Sequence, residues 1–274
     1  MNKFNPTKIS EIKKIWEDEG FKLKKGLSQN FLIDQNIVDK IVLAADIKSG
    51  DVVLEIGPGS GALTASLLDK GAVVYAVEFD HSASSILRKY LGHNERFHLI
   101  EGDILDTDLS FLPMGTKIVS NLPYHITSPI IALIADKGTT FSSSILMVQK
   151  EMADRIMAEA PSRNRSSFSV FTDYFFEKRF LFVVKPGCFI PKPKVDSVII
   201  SLVPKRSLPL KNSDEFVAFV RKAFSQKRKM ISSVMKEFPI AELLTQIGCN
   251  HQARPEELSL KNFLDLYCLL FPSR

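Results

Sequence analysis

Residues 51–61 read DVVLEIGPGSG, a short apolar run with Glu55 inside it that ends in glycines at 57, 59 and 61. A run of this length bounded by glycine reads as a buried strand. Glycines let the backbone turn sharply and approach a ligand with no Cβ in the way. A helical stretch over 61–69 follows, so the segment reads as strand, glycine loop and helix. That unit is the first crossover of a doubly wound sheet, where nucleotide ligands bind. Outward from it the pattern repeats: strand 72–78, helical stretch 82–91, strand 96–100, strand 117–121, helical stretch 127–136 and strand 144–149. Such alternation indicates parallel βαβ units covered on both faces. Strands near 179–185 and 197–203 are separated by PGCFIPKPK, too short for a helical crossover, so they are expected to pair antiparallel.

Upstream, Ile9, Ile12, Ile15 and Trp16 have the spacing of a short amphipathic helix, and a second helical stretch runs from Asp34 to Ala45. After a linker-like segment, 204–212, only helical stretches appear: 213–225, 227–237, 240–247 and 259–270. The expected organisation is an N-terminal segment 1–24, an α/β domain over 25–204 and a small helical domain over 210–274.

The 274 residues are 45% hydrophobic and 24% charged, the composition of a folded globular protein. The formal net charge of +5 points only weakly to a polyanionic partner. Its distribution is more telling: residues 221–229 (RKAFSQKRK) carry Arg221, Lys222, Lys227, Arg228 and Lys229 with no acid among them, and Lys22, Lys24 and Lys25 add a second cluster. A solvated face is the competing reading of either cluster. Cys188, Cys249 and Cys268 are far apart and lack metal-ligand spacing, so no metal is expected. No charged-then-apolar leader and no membrane-length apolar run is visible, which makes a reducing cytoplasm the expected location.

Two ligands compete for the glycine loop. The dinucleotide fingerprint is G-x-G-x-x-G, whereas this chain has G-x-G-x-G, an acid two positions before it and Ala62 where the third glycine would fall. A loop that merely makes a turn is the third alternative. Glu78, roughly 20 residues on, sits where a carboxylate would meet ribose hydroxyls. The E-x-G-x-G-x-G form resembles the first motif of class I methyltransferases, and Asp103 in EGD resembles the acid that binds the cofactor's adenine amine in them.

Asn121-Leu122-Pro123-Tyr124 lies at the carboxyl end of the fourth strand, the edge where a doubly wound sheet places its chemistry. Were the methyl acceptor an adenine, it would have to be unstacked with its amine aimed at the methyl donor. The Asn121 amide oxygen and a backbone carbonyl can accept both amine hydrogens, turning the lone pair toward the methyl carbon. Pro123 stiffens the turn, and Tyr124 offers a ring for stacking worth about 1–3 kcal/mol per base. A strand-terminal turn with a core tyrosine is the bland alternative for NLPY taken alone.

The chain as a whole resembles the ribosomal RNA adenine dimethyltransferase family, and within it the small-subunit branch. The likeness runs in order through SQNFL (28–32), EIGPGSG (55–61), VEFD (77–80), EGD (101–103), NLPY (121–124), VQKEMADRI (148–156), FIPKPKVDSV (189–198) and AFSQKRK (223–229). The resemblance implies a Rossmann-like class I methyltransferase sheet, mostly parallel with one antiparallel strand, and a small C-terminal helical domain. It implies S-adenosylmethionine as cofactor, held by Asn30, Leu32, Gly57, Glu78, Asp103 and Asn121. It implies Asn121, Tyr124 and Phe189 around the target base, with Phe189 as a second aromatic wall. The basic residues Arg221, Lys222, Lys227, Arg228 and Lys229 would grip RNA phosphates without reading sequence. The implied substrate is two adjacent adenines near the 3′ end of 16S ribosomal RNA in the assembling small subunit, each dimethylated. Apart from the resemblance, a monomer is expected.

Four other functions fit parts of the pattern. DNA adenine methyltransferases resemble D/N-P-P-Y at the base site, whereas this chain has N-L-P-Y. The large-subunit adenine dimethyltransferases share the cofactor and base motifs, but FIPKPKVDS and AFSQKRK suit the small-subunit branch better. An RNA-binding assembly factor with secondary or lost catalysis would not need Glu78, Asp103, Asn121 and Tyr124 together. A nicotinamide oxidoreductase leaves NLPY and QNFL without a task. The chain departs from the family at 164–168, NRSSF, where an aromatic–glycine pair is usual; the expected consequence is an altered RNA-facing loop.

Overall fold

The structure is a computed structural model and describes residues 5–24, 29–210, 212–226 and 228–272. Its strands are β1 (Phe31–Leu32), β2 (Val52–Ile56), β3 (Val73–Glu78), β4 (Phe97–Glu101), β5 (Thr116–Asn121), β6 (Phe141–Gln149), β7 (Phe176–Val184), β8 (Phe189–Ile190) and β9 (Ser197–Pro204). Seven of them form one sheet in the order β4-β3-β2-β5-β6-β9-β7, and β1 pairs with β8 in a separate antiparallel ribbon.

The apolar runs sit where their composition requires. In β2, Val53, Leu54, Glu55 and Ile56 are all buried, as a strand covered on both faces must be. It pairs in parallel with β3 on one side and β5 on the other, while β9 runs antiparallel to β6. The chain steps from β2 outward through β3 to β4, then returns to β5 on the opposite side. Strand order therefore reverses between β2 and β5, and the crevice beyond their carboxyl ends is the ligand position of such a sheet. Two of the flanking helices start on aspartate caps: Asp34 accepts from the Asn36 and Ile37 amides, and Asp80 from that of Ser82. The mostly parallel sheet with one antiparallel strand is the architecture the sequence implies.

The chain separates into two compact units, Met1–Lys150 with Arg179–Pro204, and Glu151–Lys178 with Lys205–Arg274. The helical unit thus takes 151–178 as well as the expected C-terminal stretch. Its core explains the membership: Val170 and Tyr174, from the helix Ser167–Phe175, are buried with Phe216, Phe219, Phe263 and Tyr267. The helices Ser213–Ala223 and Leu260–Leu270 match their expected positions. Of the helix expected over 227–237, Lys227 lies outside the described residues and only Ile231–Val234 is helical: Met230 before it is extended (φ −60°, ψ 145°), and Met235 after it leaves helical geometry (φ −111°, ψ 53°).

At 164–168, where the chain departs from the family, the segment up to Ser166 is a turn that leads into the helix Ser167–Phe175. Arg165 is buried; its guanidinium donates to the carbonyls of Leu258 (3.0 Å) and Ala158 (2.7 Å) and pairs with Asp173 at 2.9 Å. Ser166 caps the following helix through a capping box with Ser169. A buried cation persists only with such partners, so Arg165 stitches the unit together and is withheld from solvent. Among the described residues no helix is long and apolar enough to cross a membrane.

Candidate active site

The carboxyl ends of β2, β3, β4 and β5 open onto one cleft with about 1090 Å³ of empty space. The glycine loop after β2 lines it, together with Glu78 and Phe79 after β3 and Gly102, Asp103 and Ile104 after β4. Asn121 to Ile126 line it too, and Gln29 to Leu32 do so from the N-terminal segment. The structure therefore brings Asn30, Leu32, Gly57, Glu78, Asp103, Asn121 and Tyr124 to a single cleft. Phe189 is not among the lining residues. It is 1% exposed and packed in the sheet core, because β8 pairs Phe189 with Leu32 of β1. The family resemblance implies a wall at this position; in the structure Phe189 pairs with Leu32 of the QNFL segment.

The glycine loop is held by backbone conformations that side chains resist. Gly57 and Gly59 have φ of +67° and +56°. The Gly57 amide donates to the Val77 carbonyl at 2.9 Å, and the Gly59 amide donates to Glu78 Oε2 at 3.1 Å. The other Glu78 oxygen accepts from the Asp80 amide at 2.8 Å. Burial pushes the Glu78 carboxyl above its ordinary range, and those amides pull it back. Asp103 accepts from the Leu105 amide at 2.9 Å, an Asx turn that sets its direction.

Across the cleft, Asn121 Nδ2 donates to the Asn30 backbone carbonyl at 3.0 Å. A carbonyl partner can only face the NH₂ end of an amide, so this contact settles the orientation of the side chain. Oδ1, the acceptor, is the end that is left to meet a ligand. The Tyr124 hydroxyl shares a 2.8 Å hydrogen bond with the buried Ser197 hydroxyl, which fixes the ring.

Three of the lining residues to which sequence reasoning gave no role are Phe79, Ile104 and Glu55. Phe79, 64% exposed, and buried Ile104 each follow an acid at a strand's carboxyl end, Glu78 and Asp103. An apolar residue one step past each acid is the signal that would have found them. The third is Glu55, fully enclosed, with the Thr64 hydroxyl donating to Oε2 at 2.6 Å. Burial pushes its carboxyl up to about 8, with a further push from Glu78. A carboxyl raised in the fold binds its proton more tightly there than in the unfolded chain. Its stabilisation is complete below the unfolded value of 4.5 and declines as pH climbs to about 8. Glu55→Gln, which keeps an acceptor for Thr64, is expected to flatten that decline. Thermal melts of both ligand-free proteins at about pH 5 and about pH 9 check this, and parallel curves would refute it.

The basic residues of the helical unit are presented unevenly. Arg221, Lys222, Arg228 and Lys229 are exposed, and Lys227 lies outside the described residues. Lys222 is paired with Glu237, an acid that the 221–229 stretch itself does not contain. The described residues contain no group of three or more His, Cys, Asp or Glu arranged to hold a metal ion.

Comparison with known proteins agrees with this geometry. Residues 20–270 match the model of the family described as ribosomal RNA adenine dimethylase. A relative from Protochlamydia amoebophila named ribosomal RNA small subunit methyltransferase A is 40% identical, covering 97% of this chain and 98% of its own. One of the same name from Clostridium perfringens is 37% identical, covering 94% of each. Among solved structures, a dimethyladenosine transferase from Plasmodium falciparum superposes with a TM-score of 0.76 at 31% identity, over 88% of this chain and 97% of its own. The 23S rRNA methyltransferase ErmE does so with a TM-score of 0.71 at 26% identity, over 87% and 98%. With the family model spanning nearly the whole chain, and with relatives this similar over their full length, the chain belongs to the ribosomal RNA adenine dimethylase family.

Proposed function

We propose that this protein dimethylates the exocyclic amines of two adjacent adenines near the 3′ end of 16S ribosomal RNA in the assembling small subunit, drawing its methyl groups from S-adenosylmethionine. The observation that carries the reading is the Asn121 amide, held nitrogen-inward by Asn30 in the same cleft as Glu78 and Asp103. The small-subunit choice follows the names of the relatives that match along their full length.

The cleft suits the cofactor chemically. Glu78 offers a carboxylate to ribose hydroxyls, Asp103 an acceptor to the adenine amine, and Phe79 with Ile104 apolar surface to a flat ring. Asn30, Leu32 and Gly57 line the remainder. When bound, S-adenosylmethionine supplies an electrophilic methyl that leaves its sulfonium as the amine lone pair forms the new nitrogen–carbon bond. Asn121 Oδ1 accepts one amine hydrogen and turns the lone pair to the methyl, and it steadies the positive charge that develops on nitrogen. Tyr124, braced by Ser197, gives the unstacked base a ring to rest on. The amine proton then passes to solvent, so positioning does the work and no strong base is needed. Arg221, Arg228 and Lys229, with Lys222 and Lys227, supply phosphate contacts. The protein acts where ribosomes assemble, in the cytoplasm, and as a monomer.

The test is incubation with radiolabelled S-adenosylmethionine and small ribosomal subunits from cells lacking the modification, followed by nucleoside analysis. Dimethyladenosine in small-subunit RNA is the expected product. Label only in large-subunit RNA would move the substrate. No label, with S-adenosylhomocysteine still bound, would make the protein an assembly factor.

A further inference from the structure

Two motif residues have no task in that mechanism: Gln29 of QNFL and Asp80 of VEFD. They meet. Asp80 is 1% exposed, and its Oδ2 accepts from Gln29 Nε2 at 2.6 Å. Oδ1 takes the Lys24 ammonium at 2.6 Å and the Ser82 amide at 3.0 Å. Gln29 Oε1 in turn accepts from the Lys24 backbone amide at 2.8 Å. A buried carboxylate is retained only when so partnered, and the groups around it agree: burial raises the Asp80 carboxyl, but Lys24, Ser82 and Gln29 together hold it below its ordinary range.

The contacts extend into the cleft on both sides. The backbone amide of Asp80 donates to Glu78 Oε1 at 2.8 Å. Gln29 is followed by Asn30, whose carbonyl receives Asn121 Nδ2 at 3.0 Å. An unbroken path therefore runs Glu78, Asp80, Gln29, Asn30, Asn121. We propose that Asp80 is a positioning residue for methyl transfer: through Gln29 it sets the Asn30 carbonyl that orients the Asn121 amide, and through its own backbone it sets the Glu78 carboxylate. The inference rests on the roles given above to Glu78 and Asn121.

Asp80 also caps the helix His81–Leu91, so the test must separate the two duties. Asparagine caps as well as aspartate, which makes Asp80→Asn the right variant. It leaves the cap but opposes Gln29 with an amide. Gln29→Glu instead sets two carboxylates face to face. The double variant D80N/Q29E exchanges donor and acceptor, which restores the hydrogen bond between the two side chains and keeps one carboxylate in the cluster. Each single variant is expected to lower kcat and to weaken S-adenosylhomocysteine binding, read by calorimetry, by about tenfold each. The double variant is expected to recover both to within about threefold, because the two sites couple rather than add. A double variant no better than the singles, or an Asp80→Asn protein with the parent's kcat and affinity, would overturn the proposal. Glu78→Gln in the same calorimetry tests the underlying reading. If it binds as tightly as the parent protein, that reading and the inference fall together. If it binds weakly while Asp80→Asn is unaffected, only the role of Asp80 falls.

Discussion

Asn121→Ala is expected to cut methyl transfer to immature small subunits by about 10²–10³-fold, the cost of removing one well-placed acceptor or donor from a preorganised site. Alanine deletes Oδ1, the acceptor proposed for the target amine, and also the Nδ2 contact with the Asn30 carbonyl. The loss falls mainly on kcat, because the acceptor is needed most as charge develops on the amine nitrogen. Asn121→Asp is the sharper control. It keeps the shape, but it turns an acceptor toward the Asn30 carbonyl and leaves two oxygens facing without a hydrogen between them. It is therefore expected to fail as badly as alanine, although it retains an oxygen where Oδ1 lies. Single-turnover rates on small subunits lacking the modification measure both variants. Transfer by Asn121→Ala at the parental rate would remove this side chain from the mechanism.

The second large effect is structural and falls on Gly59. A Cβ built there lies 2.9 Å from two ring carbons of Phe31, with φ at +56°. Phe31 cannot give way easily: it is buried, and its ring packs against Trp16 at 5.1 Å and Phe21 at 5.9 Å between centroids. Gly59→Ala thus combines a left-handed residue, about 1–2 kcal/mol, with overpacking of about 1–3 kcal/mol. Gly57→Ala is the internal comparison. Its φ is +67°, but the added Cβ meets only the Pro123 ring at 3.5 Å, an ordinary contact. In ligand-free denaturant titrations Gly59→Ala is expected to lose about 2–5 kcal/mol and Gly57→Ala only about 1–2 kcal/mol. Gly59→Ala should also weaken cofactor binding, since the displaced loop takes its amide away from Glu78. Equal losses at the two positions would show that the Phe31 ring yields.

The parts of the site legible in the sequence were those written in short spans. Glycines 57 and 59, the acids Glu78 and Asp103, and Asn121 all sit at strand ends, where local pattern and sheet topology together say what a side chain faces. The features that escaped depend on partners far along the chain. Phe189 looks like a loop aromatic until β1 is seen beside it, more than a hundred residues earlier in the chain. Arg165, in a polar stretch, looks solvated until the carbonyls of Ala158 and Leu258 are brought to its guanidinium. The helix expected over 227–237 follows a reasonable propensity, but the backbone is extended at Met230 and leaves helical geometry again at Met235. Nor does any local signal say that residues 151–178 leave the sheet for the helical core.

That last arrangement bears on how the protein is made. The chain passes between its two units three times, after Lys150, Lys178 and Pro204. Translation delivers the first piece of the helical unit well before the second. Val170 and Tyr174 must therefore wait, their apolar surface uncovered, while β7 and β9 are synthesised and until Phe216 and Phe263 emerge. The sheet has all its strands by Pro204, so the order of synthesis favours it as the first unit to close. Cutting the gene at that apparent boundary would give a sheet unit that carries an orphaned helical segment and a C-terminal fragment that lacks part of its own core.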